Sequence, residues 1–124
     1  MKYLIVTNNP IVKEKNNNVY FVEGSMEELL IKVRDLIHKD FELVTHPLGA
    51  SLRMIFSPYR SVILKKNQGR SNYFHIELIE NSIEKYRNHM EVRNEDKKNA
   101  KDYALIDSTL LESAFSEIND NVFF

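Results

Sequence analysis

Residues 19 to 45 constrain the fold more than any other part of the chain. Val19-Tyr20-Phe21-Val22 reads as a short buried strand, and after Gly24 comes Ser25-Met26-Glu27-Glu28. That is a capping box: the Ser hydroxyl and the Glu carboxylate satisfy orphan amides at a helix start. The helix should run from about Met26 to Lys39, because Met26, Leu29, Leu30, Val33 and Ile37 recur at helical spacing and His38-Lys39 place cations where the helix dipole favours them. Phe41 to Thr45 then supplies another strand. A strand, helix, strand unit with connections this short implies a right-handed crossover and parallel pairing.

Around that unit, residues 2 to 7 and 61 to 66 read as further strands, and Ile11-Val12-Lys13-Glu14-Lys15 is long enough for one helical turn. Pro10, Asn16-Asn17-Asn18 and Asn67-Gln68-Gly69 punctuate them. Beyond Gly69 there is neither Gly nor Pro, and apolar residues return at helical spacing through Ile76, Ile79, Ile83, Tyr86 and Met90, then Tyr103, Ala104, Leu111, Ala114, Phe115 and Ile118. Two long helices are expected, with a break near Asn94 to Asn99, where the apolar stripe is missing. The expectation is one α/β domain over residues 1–124, a small, mostly parallel sheet of about four strands packed with about three helices.

Composition removes several classes of function. The 124 residues contain no Cys, so disulfides, thiolate nucleophiles and iron–sulfur ligation are excluded. The first residues lack a signal-peptide pattern and no apolar run approaches the roughly 20 residues of a membrane span, so a cytoplasmic protein that does not enter the membrane is expected. The net charge of −1 conceals 11 Lys or Arg against 7 Asp or Glu in residues 1–70, and 6 against 11 in residues 71–124. Without a clustered basic face, nucleic acid is not an expected partner. His38, His75 and His89 fall on separate helical positions without metal-ligand spacing, and no P-loop or dinucleotide fingerprint is present, so neither metal nor cofactor is expected.

Two strand-like runs end alike, Leu4-Ile5-Val6-Thr7-Asn8-Asn9-Pro10 and Phe41-Glu42-Leu43-Val44-Thr45-His46-Pro47. If the strands are parallel neighbours, their polar turns lie side by side at the sheet's carboxyl edge, where open α/β sheets bind ligands. Asn8 and Asn9 offer amides, Thr7 and Thr45 hydroxyls, and His46 a group that exchanges a proton near neutral pH. Ser57, Tyr59 and Arg60, in Ser57-Pro58-Tyr59-Arg60-Ser61, add hydroxyls and a guanidinium suited to a carboxylate or phosphate. His46 is also the one candidate for catalysis, as acid or base, with a backbone-bonded turn residue as the structural alternative. Asp107 interrupts the apolar stripe of the last helix, where a carboxylate needs a cationic partner or a solvent path, and a structural ion pair is the expected role.

The opening Ile5-Val6-Thr7-Asn8-Asn9-Pro10-Ile11-Val12, the helix segment Val33-Arg34-Asp35-Leu36-Ile37-His38-Lys39, the Thr45-His46-Pro47-Leu48 turn and Ser57-Pro58-Tyr59-Arg60-Ser61, taken in order, resemble the GrdX family. Its members are small proteins encoded alongside the glycine, sarcosine and betaine reductase systems of anaerobic amino-acid fermenters. The resemblance implies reductase components as partners and supplies no catalytic residues. Three readings follow. The leading one is a non-catalytic accessory or regulatory protein that binds a small anionic ligand or a partner segment through Thr7, Asn8, Asn9, Thr45, His46, Ser57, Tyr59 and Arg60. The alternative is a small enzyme acting on an amino-acid-derived carboxylate, with His46 as acid or base and Arg60 as anion clamp. The third is an interaction module presenting Leu52 to Phe56, and association with further copies of the chain is open in each.

Overall fold

A computed structural model describes residues 3–49 and 55–120. The elements in chain order are β1 (Tyr3–Thr7), α1 (Pro10–Lys15), β2 (Val19–Phe21), α2 (Met26–His38), β3 (Phe41–Leu43), β4 (Ser61–Lys66), α3 (Tyr73–Met90) and α4 (Ala100–Asp120). The fold is α/β, but the sheet is mixed rather than mostly parallel, and four helices accompany it rather than three.

Strand order is β2-β1-β4-β3. β1 pairs parallel with β2, while β4 runs antiparallel to both β1 and β3. The strand, helix, strand unit of residues 19–45 therefore joins two strands of the same direction, but β1 and β4 lie between them. Short connections fix the relative direction of two strands; they do not make the strands neighbours. The β1 and β3 ends lie at the same end of the sheet, separated by the beginning of β4.

Alternation along the two central strands explains why helices cover both faces. Val6 of β1 and Val62 and Leu64 of β4 pack with Met26, Leu29, Leu30, Val33 and Ile37 of α2 and with Ile79, Ile83 and Tyr86 of α3. Ile5 and Ile63 point the other way, into a second cluster with Val12 of α1 and Leu111 of α4. The five α2 side chains are all 0% exposed, and burial of each contributes on the order of 2 kcal/mol before ordering entropy is set against it.

Local signals hold α2 in place. Ser25 Oγ accepts the Glu28 N–H at 3.2 Å, and the Glu28 carboxylate accepts the Ser25 N–H at 3.3 Å, completing the capping box. At the other end the chain turns through Asp40, whose φ of 68° is a left-handed conformation that Asp tolerates better than most residues. His75 of α3 reaches the β3 edge, its Nδ1 accepting the Leu43 N–H at 3.1 Å. The break between the long helices occupies residues 91–99, where Asp96 N–H donates to Phe56 O and the Asp96 carboxylate accepts the Asn99 N–H and side-chain amide. Those bonds from Asn99, chiefly the side-chain one, hold the Asp96 carboxyl below its ordinary pKa. Among the described residues no helix is long and apolar enough to cross a membrane.

Candidate functional site

At the carboxyl end of β1, three consecutive polar side chains turn inward. Thr7, Asn8 and Asn9 are all buried, Asn9 completely. Thr7 Oγ1 shares a 2.7 Å hydrogen bond with Ser61 Oγ and accepts the Asn9 N–H at 3.0 Å. Asn8 Oδ1 accepts the Arg60 N–H at 2.9 Å, while its Nδ2 donates to Pro58 O at 2.8 Å and Gly24 O at 3.1 Å. Asn9 Oδ1 caps α1 by accepting the Ile11 N–H at 3.0 Å, and its Nδ2 donates to Ala104 O and to Asp107 Oδ2.

Both donors of each amide are engaged, and each carbonyl oxygen already accepts a backbone N–H. These side chains connect β1 to the residues before α2, to the entry of β4 and to α4. Asp107, 4% exposed, is the other centre of the network: Oδ1 accepts the Ser61 N–H at 3.0 Å, and Oδ2 accepts the Ser61 hydroxyl at 2.7 Å and the Asn9 amide at 3.0 Å. Buried carboxylates need such donors. Ser57 is also buried and closes a local turn, its Oγ donating to Tyr59 O and accepting the Tyr59 N–H.

The space between the two polar turns is taken by the start of β4, Arg60 and Ser61. On the far side of that strand, Thr45 Oγ1 accepts the Ile63 N–H at 3.0 Å. His46 follows, exposed to solvent, with its Nδ1 accepting the Leu48 N–H at 3.1 Å. The neutral ring thus carries its proton on Nε2. Burial lowers the His46 pKa from its ordinary 6.5, and the positive charges of Lys85 and Arg60 lower it further.

Arg60 itself is 3% exposed. Burial pushes its pKa down, while the charges of Asp107 and Tyr86 act in the opposite direction. The chain passes over the guanidinium at Gly49, whose φ is +76° and where any Cβ would collide with an Arg60 terminal nitrogen. A side chain there is strained by the backbone angle and fits only if the buried Arg60 guanidinium shifts.

Beside this region lies an open groove of about 590 Å³, lined by Ser25, Glu27, Tyr86, Arg87, Arg93 and Glu95 among others. Arg87 and Glu27 form an ion pair in it between half-exposed side chains. Burial first, then the negative charges of Glu95 and Glu27, raise the Tyr86 hydroxyl above its ordinary pKa, with Arg60 opposing them.

Of the residues selected from sequence, Thr7, Asn8, Asn9, Ser57 and Arg60 meet in one bonded region, Tyr59 is half-buried within its turn, and Thr45 and His46 reach the same end across β4. Sequence reasoning passed over Ser61 as a functional position, along with Lys85 and Tyr86. Asp107 carried a signal, being a carboxylate inside an apolar stripe, but its direct partners are a serine and an asparagine. Much of the Leu52–Phe56 segment lies outside the described residues; Ile55 is buried and Phe56 half-buried against the core. Among the described residues, no three His, Asp or Glu side chains converge as a metal site would require.

The architecture defines a small α/β domain whose strand ends are closed by side-chain hydrogen bonds. The model of GrdX-like proteins matches residues 4–116, and the chain belongs to the GrdX-like family. No curated protein and no solved structure matches it.

Proposed function

We propose that this protein is a non-catalytic accessory or regulatory protein of the glycine, sarcosine and betaine reductase system, and that it binds a small anion at a rim formed by His46 and Lys85 above the buried Arg60 guanidinium. The observation that carries this reading is the setting of the His46 ring, exposed at the sheet's edge with its Nδ1 committed to the Leu48 N–H. After burial, the charges that lower its pKa, those of Lys85 and Arg60, are both cationic. A general base in a relay takes an orienting carboxylate at that nitrogen; an exposed ring held by a backbone N–H, on which only cationic charges act, is suited to meet an anion. Membership of the GrdX-like family supports the choice of this setting. The network of Asn8, Asn9 and Asp107 holds β4 so that Arg60 keeps its place beneath the rim.

The test is an NMR titration of the His46 imidazole with glycine, sarcosine, betaine, acetate and acetyl phosphate in turn. Binding of an anion beside the ring offsets the two cations and raises the His46 pKa, and Lys85→Gln weakens that response. An unchanged His46 pKa with every ligand would overturn the anion site. Turnover of a carboxylate substrate that disappears in folded His46→Gln would replace the accessory reading with the enzymatic one. Purified reductase components, mixed with the protein in a sedimentation assay, test the accessory role directly.

A further inference from the structure

The sheet order β2-β1-β4-β3 leaves two edges, and they are finished differently. At the β3 edge the Leu43 N–H, which points away from β4, is taken by His75 Nδ1 at 3.1 Å. At the β2 edge, Ile5 N–H donates to Asn18 O and Val22 N–H donates to Thr7 O, so Tyr20 between them also turns its backbone groups toward β1. Hydrogen-bonding direction alternates along a strand, and the N–H and C=O groups of Val19 and Phe21 therefore turn outward. Among the described residues no donor or acceptor of the protein meets them. Such a row of unpaired backbone groups is a template for one more strand.

The side chains on the two faces of this edge select the chemistry of the added strand. Lys13 Nζ of α1 sits 4.6 Å from the centre of the Phe21 ring on one face, and Lys32 Nζ of α2 sits 5.3 Å from that of the Tyr20 ring on the other. Among the described residues neither ammonium is in an ion pair, whereas Lys15 is paired with Glu112. Of the acids close in sequence, Glu14, Glu23 and Asp35 are exposed and bond neither lysine, and Glu28 is held in the α2 cap. A second copy is a poor occupant: antiparallel pairing of β2 with itself about a two-fold axis at Tyr20 sets each Lys32 beside the other and gathers both Lys13 side chains on the opposite face. Carboxylates reverse the sign of those contacts. Residues opposite one another on adjacent strands share a face, so the residue facing Phe21 lies on the Lys13 side and its neighbour facing Tyr20 lies on the Lys32 side. Two successive acidic residues in an extended segment thus meet one lysine on each face.

We propose that β2 is a strand-addition site: an extended segment of a partner protein, carrying two successive acidic residues, pairs with the outward backbone groups of Val19 and Phe21 while its carboxylates reach Lys13 and Lys32. The edge is three residues long, so the contact is weak and depends on the two charges. It lies across the sheet from β3 and is independent of the anion rim at His46.

The probe is a fluorescein-labelled peptide, Thr-Val-Glu-Glu-Val-Thr with blocked ends, titrated with the full chain by fluorescence anisotropy while NMR hydrogen exchange follows the Val19 and Phe21 amides. Binding should protect those amides and should be unchanged in His46→Gln. The double variant Lys13→Glu, Lys32→Glu, its fold checked by circular dichroism, should lose at least about tenfold in affinity and should gain for the same peptide with Lys-Lys at its centre. N-methylation of one alternate set of peptide amides should abolish binding, and of the other set, which faces solvent, should not. Absence of binding by the Glu-Glu peptide overturns the proposal, as does binding that leaves the Val19 and Phe21 amides unprotected or an equal affinity for the Lys-Lys peptide. Protection of the same amides by raised protein concentration, without peptide, would overturn it in favour of a second copy.

Discussion

Replacing Asp107 with Ala should be among the most damaging single substitutions in the chain. The carboxylate is 4% exposed and accepts three hydrogen bonds, from the Ser61 N–H, the Ser61 hydroxyl and the Asn9 amide. A hydrogen bond to a charged group contributes about 1.5–3 kcal/mol, but not all three losses are complete. The Ser61 hydroxyl can turn to Thr7 Oγ1, already 2.7 Å away, and the Asn9 amide keeps Ala104 O at 2.8 Å. The Ser61 N–H loses its side-chain acceptor, and Arg60 loses the Asp107 charge that favours its protonated form. Counting two bonds in full and neglecting the third gives a cost of about 3–6 kcal/mol, overlapping the range for removing one member of a buried charged cluster. Asp107→Asn keeps one carbonyl oxygen for the Ser61 N–H but turns a donor toward the Asn9 amide, so about 2 kcal/mol is expected. Urea unfolding followed by circular dichroism measures both, and the denaturant slope should not change. A cost below about 1 kcal/mol for Asp107→Ala would refute the claim that this network holds α4 to the sheet, because surface substitutions reach nearly that much.

Three further outcomes follow from local geometry. Gly49→Ala should destabilise the fold clearly more than Gly69→Ala: both residues have positive φ, worth about 1–2 kcal/mol of strain to an L side chain, but only at Gly49 does the Cβ also strike Arg60. Equal losses in parallel urea titrations would show that the Gly49 turn does not pack on the guanidinium. Ser25→Ala removes the N-cap of α2 and should cost about 1 kcal/mol, with Ser25→Gly costing less; the same titrations decide it. For His46, the folded pKa lies below the unfolded value, so protonation favours unfolding. The stability it supports is intact above about pH 6.5 and is lost as pH falls from there through the lower folded pKa. His46→Gln should flatten the stability profile in that interval, and an unchanged profile would mean that neither burial nor the charges of Lys85 and Arg60 shift the ring's titration.

Sequence revealed those parts of the fold whose causes are local. The α2 start was legible because Ser25 and Glu28 bond across three residues, and its buried face because Met26, Leu29, Leu30, Val33 and Ile37 repeat with the helix. The break after α3 was legible because residues 91–99 have no apolar stripe. Sheet order was not, because it depends on pairing across long stretches of chain: Ile5 against Ile63, Val6 against Val62. Two β-branched strands facing helices on both sides read alike whether they are parallel neighbours or separated by a third. The connection over residues 44–60 contains no long helical repeat, and an antiparallel return requires none.

The same distinction governs the site. Residue type drew attention to Thr7, Asn8 and Asn9 as ligand contacts, since three short polar side chains after a buried strand must be satisfied by something. Type alone does not say by what, and here the partners stand as far away in sequence as Ala104 and Asp107. An amide that spends both donors and its carbonyl on the protein is a joint, and its substitution should be read first in stability. His46 differs because one ring nitrogen is bonded while the residue is exposed and feels the charges of Lys85 and Arg60. If ligand binding and stability are measured on the same variants, Asn9→Ala should lose stability first and His46→Gln should lose anion response with the fold intact. That separation is what assigns the rim rather than the network to the ligand; an anion response that follows stability through both variants would return the assignment to the strand ends.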